Sequence, residues 1–417
     1  MVDCCTAPGL MPLAEAKKKL LEKISVIDAS EKLTIRECSQ RVSAEVIVSP
    51  INVPAHNNSA MDGYALNADF SDSMSIAAGQ TFELVGVAMA GQPFTGTLAK
   101  GQCIRIMTGA VVPDSANAVE MQENVSATEN QVTLNHTLKV GSHIRKAGED
   151  IAVNQTIFEP GQLFSAADIG LLASLGIAEV RVKRKPKVAI FSTGDELKTP
   201  GSMLGLGDIY ESNSHVIITM LEKMNVDIVD FGIIPDDYNQ IKQTFIEADS
   251  LADAVISSGG VSVGDADYIK DVLDELGQID FWKVAIKPGK PFAFGELPNS
   301  VFFGLPGNPV SATVTFHLLG VPALKKMMGT SFEEPMLLAA TTTEKVKKRA
   351  GRMDFQRGIA SVNSEGKLLV TPLSHQGSGI LSSMSKANCY LVLPQEHQGC
   401  DAGQLVNIQL FDQVIGR

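Results

Sequence analysis

No apolar run in this chain approaches the ~18 residues needed to span a bilayer, so no membrane span is expected. Residues 1–9 show no basic stretch followed by an apolar one, and no signal peptide is read there. Cysteine is sparse: of the six, only Cys4 and Cys5 are neighbours, and no second pair or histidine completes a metal-ligand spacing. Free thiols in a reducing cytoplasm are the expectation. Basic residues are outnumbered, 35 Lys and Arg against 47 Asp and Glu, and the resulting net charge of −12 argues against broad nucleic-acid binding. No Gly-x-Gly-x-x-Gly opens a helix after the first strand of the alternating region, which speaks against a dinucleotide site. What is left is an ordinary globular composition, 44% hydrophobic and 20% charged, over 417 residues. That length holds roughly two to four domains.

The chemistry is densest over 254–315. Ala254-Val255-Ile256 is apolar and β-branched, reads as a buried strand, and runs into Ser257-Ser258-Gly259-Gly260-Val261-Ser262-Val263-Gly264. Asp265-Ala266-Asp267-Tyr268 then opens a helical pattern, and Lys283, Lys287-Pro288-Gly289-Lys290-Pro291 and Leu305-Pro306-Gly307-Asn308-Pro309 follow. Glycines at a strand-to-helix turn let backbone N–H groups approach an anion, and the helix start adds partial positive charge. The lysines suit phosphate or another oxyanion. Asp265 and Asp267 would repel such a ligand unless a hard cation such as Mg²⁺ sits between them. A metal-assisted site for a phosphorylated or oxyanionic substrate is one reading; a loop that merely needs tight turns is the other.

Elsewhere the chain divides by pattern. Residues 13–24 place Leu13, Ala16, Leu20, Leu21 and Ile24 at helical spacing. A polar stretch at 54–65 leads into short β-like runs at 82–85 and 103–107, a small mostly β domain ending near Arg145. Asp62 beside Gly63, and Thr108-Gly109 after a strand, are either turn residues or site residues. Ser165 to Gly176 reads as a capped helix and 179–182 as a strand. From Lys187, strands at 188–191, 226–231 and 254–256 alternate with helices at 214–224 and 239–248, and 310–319 forms the last helix. Right-handed crossovers put the carboxyl ends of those strands on one rim, where open α/β sheets bind ligands. Asp195, Glu196, Asp236, Asp265 and Asp267 should converge there. Beyond Pro335, β-like runs at 337–342, 353–360, 367–371, 387–393 and 405–410 predict a small barrel or sandwich. The basic cluster at 345–352 is a solvated loop or an anion site, and His375 reads as a turn histidine.

Six segments together resemble the molybdopterin molybdenumtransferase family, which comprises MoeA and the E domain of gephyrin. They are Ser59-Ala60-Met61-Asp62-Gly63-Tyr64-Ala65, Arg105-Ile106-Met107-Thr108-Gly109-Ala110, Ser192-Thr193-Gly194-Asp195-Glu196-Leu197, the 258–264 glycine turn, Lys287–Pro291 and Leu305–Pro309. The likeness runs from about residue 10 to the C-terminus. It implies an α/β multidomain fold: a central parallel-sheet molybdopterin-binding domain (1–26 and 183–330), an extended linking domain (27–53 and 146–182), an inserted small mostly β domain (54–145) and a C-terminal small β-barrel (331–417).

The resemblance also implies a reaction. Adenylylated molybdopterin and molybdate, with Mg²⁺, give molybdenum cofactor and AMP. It implies a cytoplasmic homodimer in which the α/β domain of one subunit faces the Asp62 domain of the other, with Thr108 near that cleft. By position in the family pattern Asp236 and Asp267 are the metal and hydrolysis carboxylates, and Asp62, Lys283 and Lys287 complete the catalytic set. The lysines hold phosphate or molybdate and Glu196 the pterin side. Ser258, Gly259, Gly260 and Gly264 line the substrate turn, Pro306 and Pro309 shape the pocket, and Arg357 with Ser378 complete the molybdate site. Unlike fused members, the chain carries no adenylylating domain, so a separate molybdopterin adenylyltransferase is expected to supply substrate. A scaffold that kept the fold without the chemistry, and an enzyme that itself adenylylates molybdopterin, are the rival readings.

Overall fold

A computed structural model of the chain describes residues 9–71, 73–259, 268–330 and 333–416. The strand Lys187–Thr193 sends alternate side chains into two cores. Val188 and Ile190 pack with Ile217, Leu221 and Phe303, on the face that also receives Ala16 and Leu20 of the helix Leu13–Lys23. Ala189 and Phe191 pack on the other face with Ile241, Phe245 and Val272. Phe245 meets Phe191 and Phe302 edge-on, at 5.1 and 5.3 Å between ring centroids. Each such pair adds about 1 kcal/mol beyond its buried area. Both faces of the sheet are therefore covered, which is what the unbroken apolar strands require.

The strand order is Asp227–Ile234, Lys187–Thr193, Ala254–Ser258, Val301–Leu305, Pro291–Glu296 and Gln278–Lys283. The first four are mutually parallel, whereas Pro291–Glu296 runs against both its neighbours. The sheet is thus mixed at one edge. The reason is the short connection at 297–300, closed by Leu297 N–H donating to Ser300 O at 2.8 Å, which joins antiparallel strands without a crossover helix. Two expected elements also differ in length. The strand at 254–256 continues through Ser257 and Ser258, both fully paired with Gly304 and Leu305. The helix expected at 310–319 runs from Pro309 to Met327, because a π segment at Phe316–Gly320 absorbs one turn without ending it.

Before this sheet, Ser30–Thr34 pairs with Glu179–Lys183 and Ile47–Val48 with Thr156–Phe158. Between these pairings sits a six-stranded sheet, ordered Ala118–Met121, Gly63–Leu66, Gln102–Ile106, Thr81–Ala88, Gln131–Leu134 and Val125–Ala127. The helix Ala166–Ser174 is capped as its sequence predicts: Ser165 Oγ accepts from Asp168 N–H, and the Asp168 carboxylate accepts from Ser165 N–H at 2.8 Å. After the long helix, Leu338–Thr342, Met353–Val362, Leu368–Pro372, Cys389–Leu393 and Leu405–Leu410 close into a five-stranded barrel. Ile286–Lys287 leaves the α/β sheet and adds, parallel, to Met353–Asp354 of that barrel. Among the described residues no helix is long and apolar enough to cross a membrane.

The chain's last segment is clamped back onto the π segment. His317 Nε2 lies 3.3 Å from Asp412 Oδ1, and although burial opposes ionisation, the imidazole and the Val414 and Ile415 N–H groups hold the Asp412 carboxyl down at about 2. A carboxyl depressed from its unfolded value contributes stability that is present above pH ~4 and lost as pH falls towards 2. Its side chain is 41% exposed, so screening reduces that contribution to about 1 kcal/mol. Asp412→Asn is expected to lower unfolding stability by about that amount at pH 7, with the gap from the parent closing below pH 4 in urea titrations; a gap that stays constant with pH would remove the carboxylate from the account.

Candidate active site

The carboxyl ends of the parallel strands meet as the crossovers require. Asp236, after Asp227–Ile234, donates its N–H to Asp195 Oδ1 at 3.1 Å, and Gly259 N–H donates to Leu305 O at 3.2 Å. Gly259 has φ +96°, and a Cβ there would stand 2.9 Å from Thr193 O, so only glycine lets these two strand ends approach. Burial pushes the Asp236 carboxyl up, and the nearby carboxylates of Asp195 and Glu196 push it further. Glu196 folds back over Gly194, where a Cβ would meet its carboxylate at 2.6 Å. The rim therefore concentrates negative charge on hard oxygen donors.

Two residues that the sequence reading passed over hold this rim together. Asn213, at the start of the helix Asn213–Lys223, donates to both Ser258 Oγ and Gly307 O at 2.8 Å. Its amide thus ties the glycine turn to the Pro306–Pro309 loop. Buried Glu211 accepts from Ser192 Oγ at 3.1 Å, from Ser214 N–H at 2.7 Å and from the Ser214 hydroxyl. Pro309 occupies the first turn of its helix, where its missing N–H costs nothing. Exposed Lys283 ends Gln278–Lys283 opposite Pro291, on the same rim.

The barrel completes the rim from the side. Ser378 O accepts the N–H of Val310 at 3.0 Å, which docks the 377–380 turn on the start of the long helix. Arg357, 1% exposed, points to that junction. Its Nη2 donates to Gly377 O at 3.2 Å and its Nε to Ser383 Oγ at 3.1 Å. Among the described residues no carboxylate lies within ion-pair distance of it, and burial pulls its pKa down. Ser383 is a further residue that the sequence did not single out. Lys287 lies on the neighbouring strand, its Nζ 3.4 Å from the buried carboxylate of Asp354.

Asp62 and Thr108 meet one another, but not this group. Gly63 pairs with Ile106, so the residues just outside that register are brought together at one end of the N-terminal sheet. Thr108 donates both N–H and hydroxyl to Asp62 Oδ1, at 2.7 and 2.8 Å, and these bonds hold the Asp62 carboxyl below its usual range. Among the described residues no hydrogen bond joins 57–145 to 187–330. Gly260, Gly264, Asp265 and Asp267 lie outside the described residues.

The comparisons with known proteins decide the family. The MoeA N-terminal region (domain I and II) matches residues 11–176, the probable molybdopterin binding domain 189–326, and the MoeA C-terminal region (domain IV) 339–411. The chain belongs to the molybdopterin molybdenumtransferase family. It is 43% identical to a molybdopterin molybdenumtransferase of Haemophilus influenzae, over 98% of this chain and 100% of that protein. A Staphylococcus aureus molybdopterin molybdenumtransferase is 30% identical, over 96% of each chain. The crystal structure of the molybdopterin biosynthesis moeA protein from Pyrococcus horikoshii superposes with a TM-score of 0.83 at 31% identity, covering 96% of this chain and 100% of that one. For this member of the molybdenumtransferase family, the multidomain α/β and barrel architecture is that of the MoeA structures.

The Asp62–Thr108 contact gives a direct check on the N-terminal sheet. Asp62→Ala removes the acceptor of the Thr108 N–H, and faster hydrogen exchange at Thr108, with Ile104 and Ile106 unchanged, is expected. Unchanged exchange at Thr108 would mean that the pair does not order this turn.

Proposed function

We propose that the chain is a molybdopterin molybdenumtransferase that inserts molybdate into adenylylated molybdopterin and releases AMP. The observation that carries this reading is Arg357: a buried guanidinium without a carboxylate partner, at the junction of the barrel with the carboxyl rim of the α/β sheet. Burying a cation is costly unless an anion or several hydrogen bonds offset it, and a molybdate seated beside Arg357 and Ser378 supplies the missing charge. Lys283 and Lys287 add cations for the phosphate or molybdate oxygens. Glu196 faces the pterin side, and the loop through Pro306 and Pro309 shapes the pocket with Ser258, Gly259, Gly260 and Gly264.

The donor chemistry of the rim suits Mg²⁺, since Asp195, Glu196 and Asp236 are hard oxygen ligands, and burial together with their repulsion raises the Asp236 carboxyl. Among the described residues no three acidic, histidine or cysteine side chains form a closed metal cage. Asp236 would therefore hold the ion together with Asp267. A bound Mg²⁺ would neutralise charge on the phosphates as the adenylyl link is broken. The remaining work belongs to the chain: Arg357 and the lysines fix the oxyanion, Asn213 keeps the two loops in register, and the rim orients the phosphates.

In this reading the protein acts in the cytoplasm as a homodimer, and Asp62 with Thr108 from the partner subunit closes the cleft over the α/β domain. Their separation from the rim within one chain supports that arrangement. A separate molybdopterin adenylyltransferase supplies the substrate.

AMP release from adenylylated molybdopterin, with protein, Mg²⁺ and molybdate omitted in turn, tests the proposal. Release is expected only when all are present, and Asp267→Asn is expected to abolish it with the fold unchanged. Binding without release would point to a carrier, and consumption of ATP with free molybdopterin to an adenylylating enzyme.

A further inference from the structure

A cleft on the other side of the barrel strand Met353–Val362 shares only Lys287 with the residues given a task in the reaction above. It encloses about 610 Å³, and its walls carry Lys287, Lys345, Lys347, Lys348, Arg349 and Arg352. Only two carboxylates, Asp354 and Asp401, share those walls. Six cations against two acids, in a chain of 35 basic and 47 acidic residues, is a local inversion of charge. Asp401 pairs with Lys345 at 2.8 Å and Asp354 with Lys287 at 3.4 Å. Both acids are thereby spoken for, and among the described residues Lys347, Arg349 and Arg352 have no carboxylate within ion-pair distance. Arg352 Nε is buried without a hydrogen-bond partner. Lys348 donates to Gln395 O and His397 O at 3.1 and 2.9 Å, so its charge is fixed in place rather than swinging in solvent.

Strand geometry separates this cleft from the Arg357 pocket. Alternate residues of a strand face opposite sides. Phe355 and Arg357 face the long helix and Ser383. Asp354 and Gln356 face the cleft, where Gln356 Nε2 donates to Lys347 O at 2.8 Å and to Asp354 Oδ2 at 3.0 Å. The volume is that of a small-molecule site, roughly 300–1,000 Å³, and far exceeds what one four-oxygen anion fills. We infer that the cleft binds a phosphorylated small molecule carrying at least two negative charges, at a site apart from the rim that orients the substrate's phosphates.

Inorganic pyrophosphate titrated calorimetrically into the full chain tests the site itself. Binding is expected, weakening about tenfold in Lys347→Gln/Arg349→Gln, the scale of lost charge-assisted contacts. Molybdate binding in the same variant is expected to stay within about twofold, since Arg357 lies on the other face. Both replaced side chains are exposed, so the fold is retained; Arg352→Gln gives an independent variant. No pyrophosphate binding by the parent, or equal binding by both variants, overturns the site. In the AMP-release assay the double variant is expected to keep kcat and KM within about twofold of the parent, since the substrate's phosphates are held at the rim; a KM raised in step with lost pyrophosphate binding overturns the separation of the two sites.

Discussion

A guanidinium buried without a carboxylate is the constraint on which the site depends. Arg357 is held by Ser383 Oγ and the Gly377 carbonyl, neutral acceptors that satisfy hydrogen bonds but do not cancel charge. The surroundings could have supplied a carboxylate, since Asp354 stands three residues away on the same strand. Pleating sends Asp354 to the opposite face, where it takes Lys287 and Gln356 instead. The strand thus keeps its one buried acid away from its one buried arginine. Such a charge is tolerable in the folded state because several neutral groups hydrogen-bond it.

The barrel and the α/β sheet meet where that arginine points, and backbone bonds make the meeting together with the Lys287–Asp354 and His317–Asp412 pairs. Ile286–Lys287 crosses over to pair with Met353–Asp354, and Ser378 O caps the N–H of Val310. These bonds are short-range and directional, so they fix the angle between the two bodies near Arg357 more tightly than apolar contact alone would. Asn213 does the same on the other side, holding Ser258 and Gly307 at 2.8 Å each. A rim built from four strand ends has no intrinsic reason to stay in register. An amide that spans two of its loops supplies one.

Local signals were legible and contacts between distant segments were not. The capping box at Ser165 and Asp168, the helix at 13–23 and the convergence of Asp195 with Asp236 all follow from spacing and from the handedness of crossovers. The antiparallel strand Pro291–Glu296 is not legible as such, because the Pro298-Asn299 pair at 297–300 marks a turn without saying which strands it joins. The π segment at Phe316–Gly320 leaves no trace in a run that is apolar on every side. Ser383 reaches Arg357 across 26 residues of sequence, and Asn213 reaches Gly307 across 94. Asn213 did carry a faint signal, a polar amide at a helix start, but nothing in the sequence says that its partner is a distant loop. The role of Arg357 came from family pattern; its isolation from carboxylates came only from packing.

The overall charge of the chain makes the cationic surfaces selective. At −12 the protein repels anions in general, and beyond a Debye length of about 8 Å in physiological salt that repulsion is largely screened. What an approaching anion feels at close range is therefore the local balance, and only where cations outnumber acids does the sign reverse. The barrel provides that reversal on one face of Met353–Val362, in the cleft lined by Lys347, Arg349 and Arg352, and a single buried cation on the other. An anion of several charges gains most from the exposed cluster, because each added charge meets another lysine or arginine. In the proposed reading a compact oxyanion meets Arg357, where low exposure strengthens one contact more than many solvated ones. Pleating and burial divide the two groups of cations between the faces of one strand, so that each face presents a charge of its own.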